Sequence, residues 1–325
     1  MEEKQMKKFL ALVLALAMVF ALCACGKSSD ASAANVPLTF TTGGEAGTYY
    51  AFGGVLGSYV SGKTNLTVTA VSSGGSQTNI EELDAGNAQL GFSQSDVMSY
   101  AYNGQRLFTD KVTSFSVVAA LYMEQVQIVT MDPSIKTVAD LKGKTVSVGA
   151  SGSGTYYNAV DVLGAYDLDV EKDINPVKQS FGDSAESLKD HKIDAAFIVA
   201  GAPTTAITDL ATSGDVYLVS LDDEHIDKLI ASSPYYSKNI ISADAYGLAE
   251  PVTTVAIAAV VLANNDVSAD AIYAFVSTIF ENIPEIKEQH GKGAELDLNF
   301  ASSITDVPYH PGAAKYFSEK GIKVS

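Results

Sequence analysis

The residues of this chain whose types and spacing suit chemistry are glycines, hydroxyls and tyrosines, in a pattern that occurs twice. Gly47-Thr48-Tyr49-Tyr50 and Gly154-Thr155-Tyr156-Tyr157 open two thirteen-residue stretches, ending at Tyr59 and Tyr166, that match at eight positions. Average composition would give roughly one such match. The offset of 107 residues recurs where Gly75-Ser76 falls against Gly182-Asp183. Each copy follows a β-type run and opens an amphipathic stretch of helical length, so each reads as a strand-to-helix turn. Glycine lets the backbone turn sharply and approach a ligand closely. A helix start exposes unpaired N–H groups and the positive end of the dipole, which favour an anion. Two such starts facing across a cleft would grip a small anion from both sides. The plainer alternative is a pair of ordinary turns whose tyrosines cover the core.

The candidate ligand-binding residues follow from those turns. In the first half they are Gly47, Thr48 and Tyr49, then Ser76 and Asn79 from a second glycine-rich turn. Gln94 and Ser95 join them because they lie just past a strand expected over 88–93, and open α/β sheets bind ligands at that edge. In the second half the candidates are Ser151, Ser153, Gly154 and Thr155, with Gly201 and Ala202 acting through their backbone after a strand over 195–199. Helix capping is the alternative for each hydroxyl. One tyrosine of each pair is expected to wall the pocket and the other to pack beneath. The chain has one arginine, Arg106, in a polar loop where exposure is the ordinary state. Recognition of a carboxylate would then fall to backbone amides, hydroxyls and Asn or Gln side chains.

Catalysis fits poorly. Of the four histidines, His191, His225, His290 and His310, none stands beside a nucleophile-elbow pattern. The tight cluster Asp222-Asp223-Glu224-His225 reads better as a solvated helix start than as a metal site. Neither a Walker pattern nor a complete dinucleotide fingerprint occurs. No enzyme activity, cofactor or metal is therefore expected. The formal charge of −17 argues against nucleic-acid binding, while a cleft's local field, set by amides and dipoles, still suits an anionic ligand.

The elements that must hold these residues alternate between strand-like and helix-like. A basic head with Lys4, Lys7 and Lys8 and an apolar run from Phe9 to Leu22 form a signal peptide over 1–24. Leu22-Cys23-Ala24-Cys25-Gly26 resembles a bacterial lipobox, which makes Cys25 the lipidation site, with a flexible tether over 25–35. Signal cleavage leaving a free thiol is the alternative. The rest reads as an α/β chain with mostly parallel sheets and helices on both faces. Separate strands are expected over 115–121 and 126–131, a buried strand over 252–263, and a helix over 269–290 bent or divided by Pro284. The expected lobes are 36–122 with 256–325, and 123–255, joined by crossing strands at 122–126 and 251–256.

Several ordered blocks then resemble one known family: residues 43–50 and 73–79, Gln94-Ser95-Asp96 with Ala101-Tyr102-Asn103-Gly104, residues 140–144 and 151–155, residues 194–197 leading to Gly201-Ala202-Pro203, Pro234-Tyr235-Tyr236, and His310-Pro311-Gly312-Ala313. In this order they are similar to the TRAP-associated extracytoplasmic immunogenic (TAXI) solute-binding subunits, over nearly all of the mature chain. The resemblance implies a two-lobed periplasmic-binding-protein fold of type II-like form and a monomer. It also implies capture of a small carboxylate such as glutamate or 2-oxoglutarate, delivery to the membrane permease of a TRAP-type transporter, and an extracytoplasmic place on a lipid anchor. A ligand-binding sensor or adhesin lipoprotein, or the binding protein of an ABC importer, remain the alternatives.

Overall fold

Short apolar runs rich in β-branched residues extend, and the glycine- and serine-led stretches after them coil, so strands and helices alternate through the chain. The structure, a computed structural model, describes residues 35–106 and 108–325. The expected signal peptide over 1–24, the expected lipidation site Cys25 and residues 25–34 of the expected tether lie outside the described residues. The first half runs β1 (Val36–Thr41), α1 (Thr48–Lys63), β2 (Leu66–Val71), α2 (Ser76–Asp84), β3 (Leu90–Gln94), α3 (Ser95–Asn103) and the long β4 (Phe115–Thr130). Then come β5 (Thr145–Ser147), α4 (Gly154–Ala165), β6 (Asn175–Val177), α5 (Phe181–Lys189), β7 (Ala195–Ala200), α6 (Thr205–Ala211) and β8 (Tyr217–Leu218). The chain closes with α7 (Asp223–Ser232), β9 (Ser237–Ile241), β10 (Val252–Asn264), α8 (Ala269–Phe280), α9 (Ile283–Gln289), α10 (Leu298–Ala301) and α11 (Pro311–Glu319).

The strands form a mixed sheet of order β2-β1-β3-β10-β4-β7-β5-β6, with β8 against β4 and β9 against β10. β1 pairs parallel with β2 and β3, and β5 pairs parallel with β6 and β7. Every antiparallel pair involves β4 or β10. This α/β arrangement, two parallel groups linked through two long antiparallel strands, is the fold expected from the alternation of elements.

One expectation needs correction. The separate strands over 115–121 and 126–131 are a single strand, β4. The polar residues Glu124 and Gln125 look like a break in the sequence, but pairing of Glu124 with Ile257 and of Gln125 with Ala256 keeps the backbone extended through them. Pro284 divides the 269–290 segment as anticipated, and it stands in the first turn of α9, where its missing N–H is harmless.

Three buried clusters organise the packing. Phe40, Phe52, Phe92, Tyr122, Phe275 and Phe317 belong to one that gathers the N-terminal and C-terminal elements. Val126, Ile128, Phe197 and Ile257 belong to a second, and Val129, Ala196, Ile198 and Ile207 to a third. Along β7 the odd residues enter the second cluster and the even ones the third, which is why Ala195–Ala200 is apolar throughout and not alternating. The handover from the first cluster to the second falls between Tyr122 and Val126 on β4 and between Ala258 and Ile257 on β10.

Candidate functional site

Each glycine-rich turn leads a strand directly into a helix, and the helices converge. α1 starts from Gly47 and α2 from Gly75, whose φ of 109° suits glycine. Ser153 caps α4, its Oγ accepting from the Thr155 N–H at 3.1 Å, and Ser180 caps α5, accepting from the Asp183 N–H at 3.1 Å. All four of these N-cap residues line one cavity, whose empty volume with its open mouth is about 530 Å³. The N–H groups of Thr48, Ser76, Gly154 and Phe181, each the first residue of its helix, have no acceptor among the described residues. No Lys, Arg or His stands among the described residues lining the cavity. What it offers an anion is therefore backbone N–H groups and hydroxyls.

The structure brings eight of the expected residues to this cavity: Gly47, Thr48, Tyr49, Ser76, Gln94, Ser153, Gly154 and Thr155. It does not bring the others. Asn79 sits behind the wall with its amide fully engaged. Its Oδ1 accepts from Thr41 and Ser73 (2.7 and 2.6 Å), and its Nδ2 donates to the carbonyls of Thr42 and Phe92 (2.5 and 2.8 Å). Ser95 is the buried first residue of α3, outside the lining, and Ser151 is exposed. The Gly201 carbonyl accepts from the hydroxyls of Thr48 (2.8 Å) and Thr204 (3.2 Å), and the Ala202 N–H donates to Gln125 Oε1 (2.9 Å), so both backbones serve the protein's own contacts. Of the tyrosines, Tyr49 lines the cavity, stacked on Phe92 with centroids 4.6 Å apart. Neither Tyr156 nor Tyr157 does. Arg106 is also elsewhere, paired with Asp161 at 2.6 Å over the Tyr100 ring.

Several hydrogen bonds join the two sides of the cavity directly. Gln94 Nε2 donates to Asn158 Oδ1 (2.9 Å) and Asn158 Nδ2 donates to Asp96 (3.0 Å), while the same Nδ2 also donates to the Tyr236 hydroxyl on its own side (2.9 Å). The Gln77 and Thr78 N–H groups share the Gly152 carbonyl, and the Ala206 N–H reaches the Ala46 carbonyl. Gly154 permits the closest approach. A Cβ there would stand 1.7 Å from Gln94 Oε1.

Sequence reasoning missed Gly43, Gly44, Ala150, Val199 and Ala200 of the lining, and three further parts of it that bear more directly on binding. Ser73, Gly74 and Gly75 complete the turn before α2, and Ser180 and Phe181 begin α5. The third is Glu124, 2% exposed, whose Oε2 accepts from the Tyr49 hydroxyl at 2.8 Å. Burial pushes its carboxyl up to about 8, opposed in part by that hydrogen bond; neighbouring Asp96 adds to the rise and the Lys292 ammonium opposes it. Burial likewise pushes Asp96 up to about 7, against the Val97 N–H that it accepts. Two signals pointed to these residues. A lone acid interrupts the apolar run of β4, and Ser180-x-x-Asp183 is a helix-start signature.

Comparison with known proteins fits this geometry. The profile of the NMT1-like family matches residues 40–321. A protein from Bordetella bronchiseptica RB50 superposes with a TM-score of 0.52 at 16% identity, over 87% of this chain and 89% of that one. The binding protein component of an ABC phosphonate transporter from Pseudomonas aeruginosa gives 0.50 at 12% identity, over 81% and 80%. A Salmonella typhimurium periplasmic binding protein of high arginine specificity gives 0.50 at 15%, over 79% and 98%. The likeness is one of fold, that of the periplasmic binding proteins.

Proposed function

The chain belongs to the NMT1-like family, and from that premise we propose that it is a solute-binding protein which captures a small carboxylate and passes it to a membrane importer. The observation that carries this reading is the convergence of four helix starts on one cavity whose described lining has no cationic side chain. Free amides and the hydroxyls of Ser76, Ser153 and Thr155 supply the donors that an arginine fork supplies elsewhere. Residues 36–122 with 256–325 act as one lobe and 123–255 as the other, a division supported by the separate buried clusters. The protein works outside the cytoplasm, anchored through Cys25.

For the partner, we favour an ATP-driven importer, because a fold neighbour is the binding component of such a system. The second reading is an ion-driven tripartite transporter, supported by the ordered sequence blocks shared with TRAP-associated subunits. Vesicles carrying the cognate permease separate them: uptake driven by ATP supports the first, uptake driven by an ion gradient the second. The ligand is tested by thermal-shift screening of mono- and dicarboxylates beside phosphonates and sulfonates, followed by calorimetry. Carboxylates should raise the melting temperature and bind one per chain. A protein that no small anion stabilises would overturn the assignment.

A further inference from the structure

The seam that joins the two sides of the cavity carries an unbalanced charge. α3 and the turn after it contribute Asp96 and Arg106, and α4 contributes Asn158 and Asp161. Arg106 Nη2 donates to Asp161 Oδ1 at 2.6 Å, and the Tyr236 hydroxyl donates to Asp161 Oδ2 at 3.1 Å. Two carboxyls therefore meet one guanidinium, and Asp161 holds it. Asp96, 0% exposed, forms no ion pair among the described residues. Its Oδ1 accepts from the adjacent Val97 N–H at 2.7 Å and its Oδ2 from Asn158 Nδ2 at 3.0 Å. A buried carboxylate without a cation is costly, and such a group takes up a proton instead.

We propose that Asp96 is a proton-operated latch: the two sides close over the cavity with Asp96 protonated, and its ionisation loosens them. The proposal goes beyond the solute-binding reading and needs no ligand, and it rests on the division into lobes given there. Asn158, which bonds Asp96, and Tyr236 beside it belong to the lobe 123–255, whereas Asp96 belongs to the other. Parting the lobes takes that cover away and lets water reach the carboxyl. A hydrated carboxylate ionises at its ordinary pH.

The groups facing Asp96 set the sign of the effect. Asp161 and Tyr157 face it from α4, Tyr236 from the segment before β9, Tyr100 from α3 itself and Arg106 from the turn that follows, while Glu124 on β4 feels its charge. Of these side chains only Arg106 brings a positive charge. Burial outweighs it and, with the Asp161 charge, raises the Asp96 carboxyl from an ordinary 3.8 to about 7. The closed form therefore binds a proton that the open form gives up. Its advantage is complete below about pH 4 and is lost as pH rises through about 7, by up to about tenfold in the closed-to-open ratio per pH unit.

The test is small-angle scattering on the ligand-free mature chain between pH 7 and pH 5. The radius of gyration should fall as the pH falls. Asp96→Asn, a neutral side chain of the same shape, should hold the compact radius throughout that range. With the aspartate carboxyls labelled with carbon-13, magnetic resonance of the unaltered protein should show one that titrates well above the rest, in step with the contraction. That reading stands even if the variant folds poorly. A constant wild-type radius, an equal contraction in Asp96→Asn, or aspartates that all titrate below about pH 5 would each overturn the latch. The solute-binding assignment, tested with ligands, would be left intact by any of these.

Discussion

Thr155 and Ser76 are both buried hydroxyls in the cavity lining, yet their surroundings differ. The Ser76 Oγ accepts from the Gln94 N–H at 3.1 Å, so Ser76→Ala leaves a buried donor unsatisfied and should lower stability by about 1–3 kcal/mol as well as weaken binding. No described acceptor engages the Thr155 hydroxyl. Thr155→Ala should weaken anion binding about tenfold, the loss of one hydrogen bond to a charged group, while the melting temperature stays within a degree or two. Calorimetry paired with thermal melts distinguishes the two variants. The buried carboxyls make a further prediction. Asp96 and Glu124 have folded-state values near 7 and 8, above the ordinary 3.8 and 4.5. The native protein therefore holds protons that the unfolded chain gives up, and stability should fall as pH rises from about 4 through 8. Melting temperatures at half-unit steps should show that fall, and Asp96→Asn should flatten its part below about pH 7. A wild-type melting temperature that climbs across the same range would mean that burial does not govern these groups.

At the scale of elements, the two Gly-Thr-Tyr-Tyr turns were legible because a local pattern dictates local geometry: strand, glycine turn, capped helix. The turn before α2 was legible in the same way, and the start of α5 was harder to read. The sequence repeat already set Gly182 against Gly75, but α5 begins at Phe181, ahead of the apolar residues near 185–188 that marked the helix. Asn79 shows the opposite failure. Its type and position resemble those of Ser76, and only the packing of Thr41, Ser73 and Phe92 around it decides that it buttresses the wall. Glu124 was hidden because its place in the lining depends on β10, more than a hundred residues away in sequence. α4 permits a controlled test. Gly154→Ala places a methyl against Gln94 Oε1 and should break the Gln94–Asn158 bond, cutting ligand affinity at least tenfold and costing roughly 1–3 kcal/mol of stability. Gly164→Ala in the same helix meets nothing within 4 Å and should leave affinity unchanged while raising stability by about 0.4–1 kcal/mol. Equal effects from the two substitutions would remove the special role assigned to Gly154.

The molecule as a whole is held shut around the cavity by bonds that link residues far apart in the chain. Among the described residues the ion pair of this set is Arg106–Asp161, with side chains 36% and 13% exposed. It lies outside the cavity lining, so Arg106→Gln should act only through closure. A partly exposed ion pair is worth roughly 0.2–1 kcal/mol, which predicts a loss of affinity of up to about fivefold. The loss should shrink at high salt, and small-angle scattering should show a larger radius of gyration. A salt-independent loss of a hundredfold would place Arg106 at the ligand after all. The course of β4 and β10 carries one more consequence. These strands run side by side through both groups of elements, so any opening must twist this two-strand ribbon like a torsion bar. Glu124 projects from that bar into the cavity wall. A guest held there would grip the axle as well as the jaws, and its arrival would be felt at the pivot itself. An environment-sensitive dye placed on β9, which lies along β10 away from the cavity, should therefore change its emission when the cavity fills.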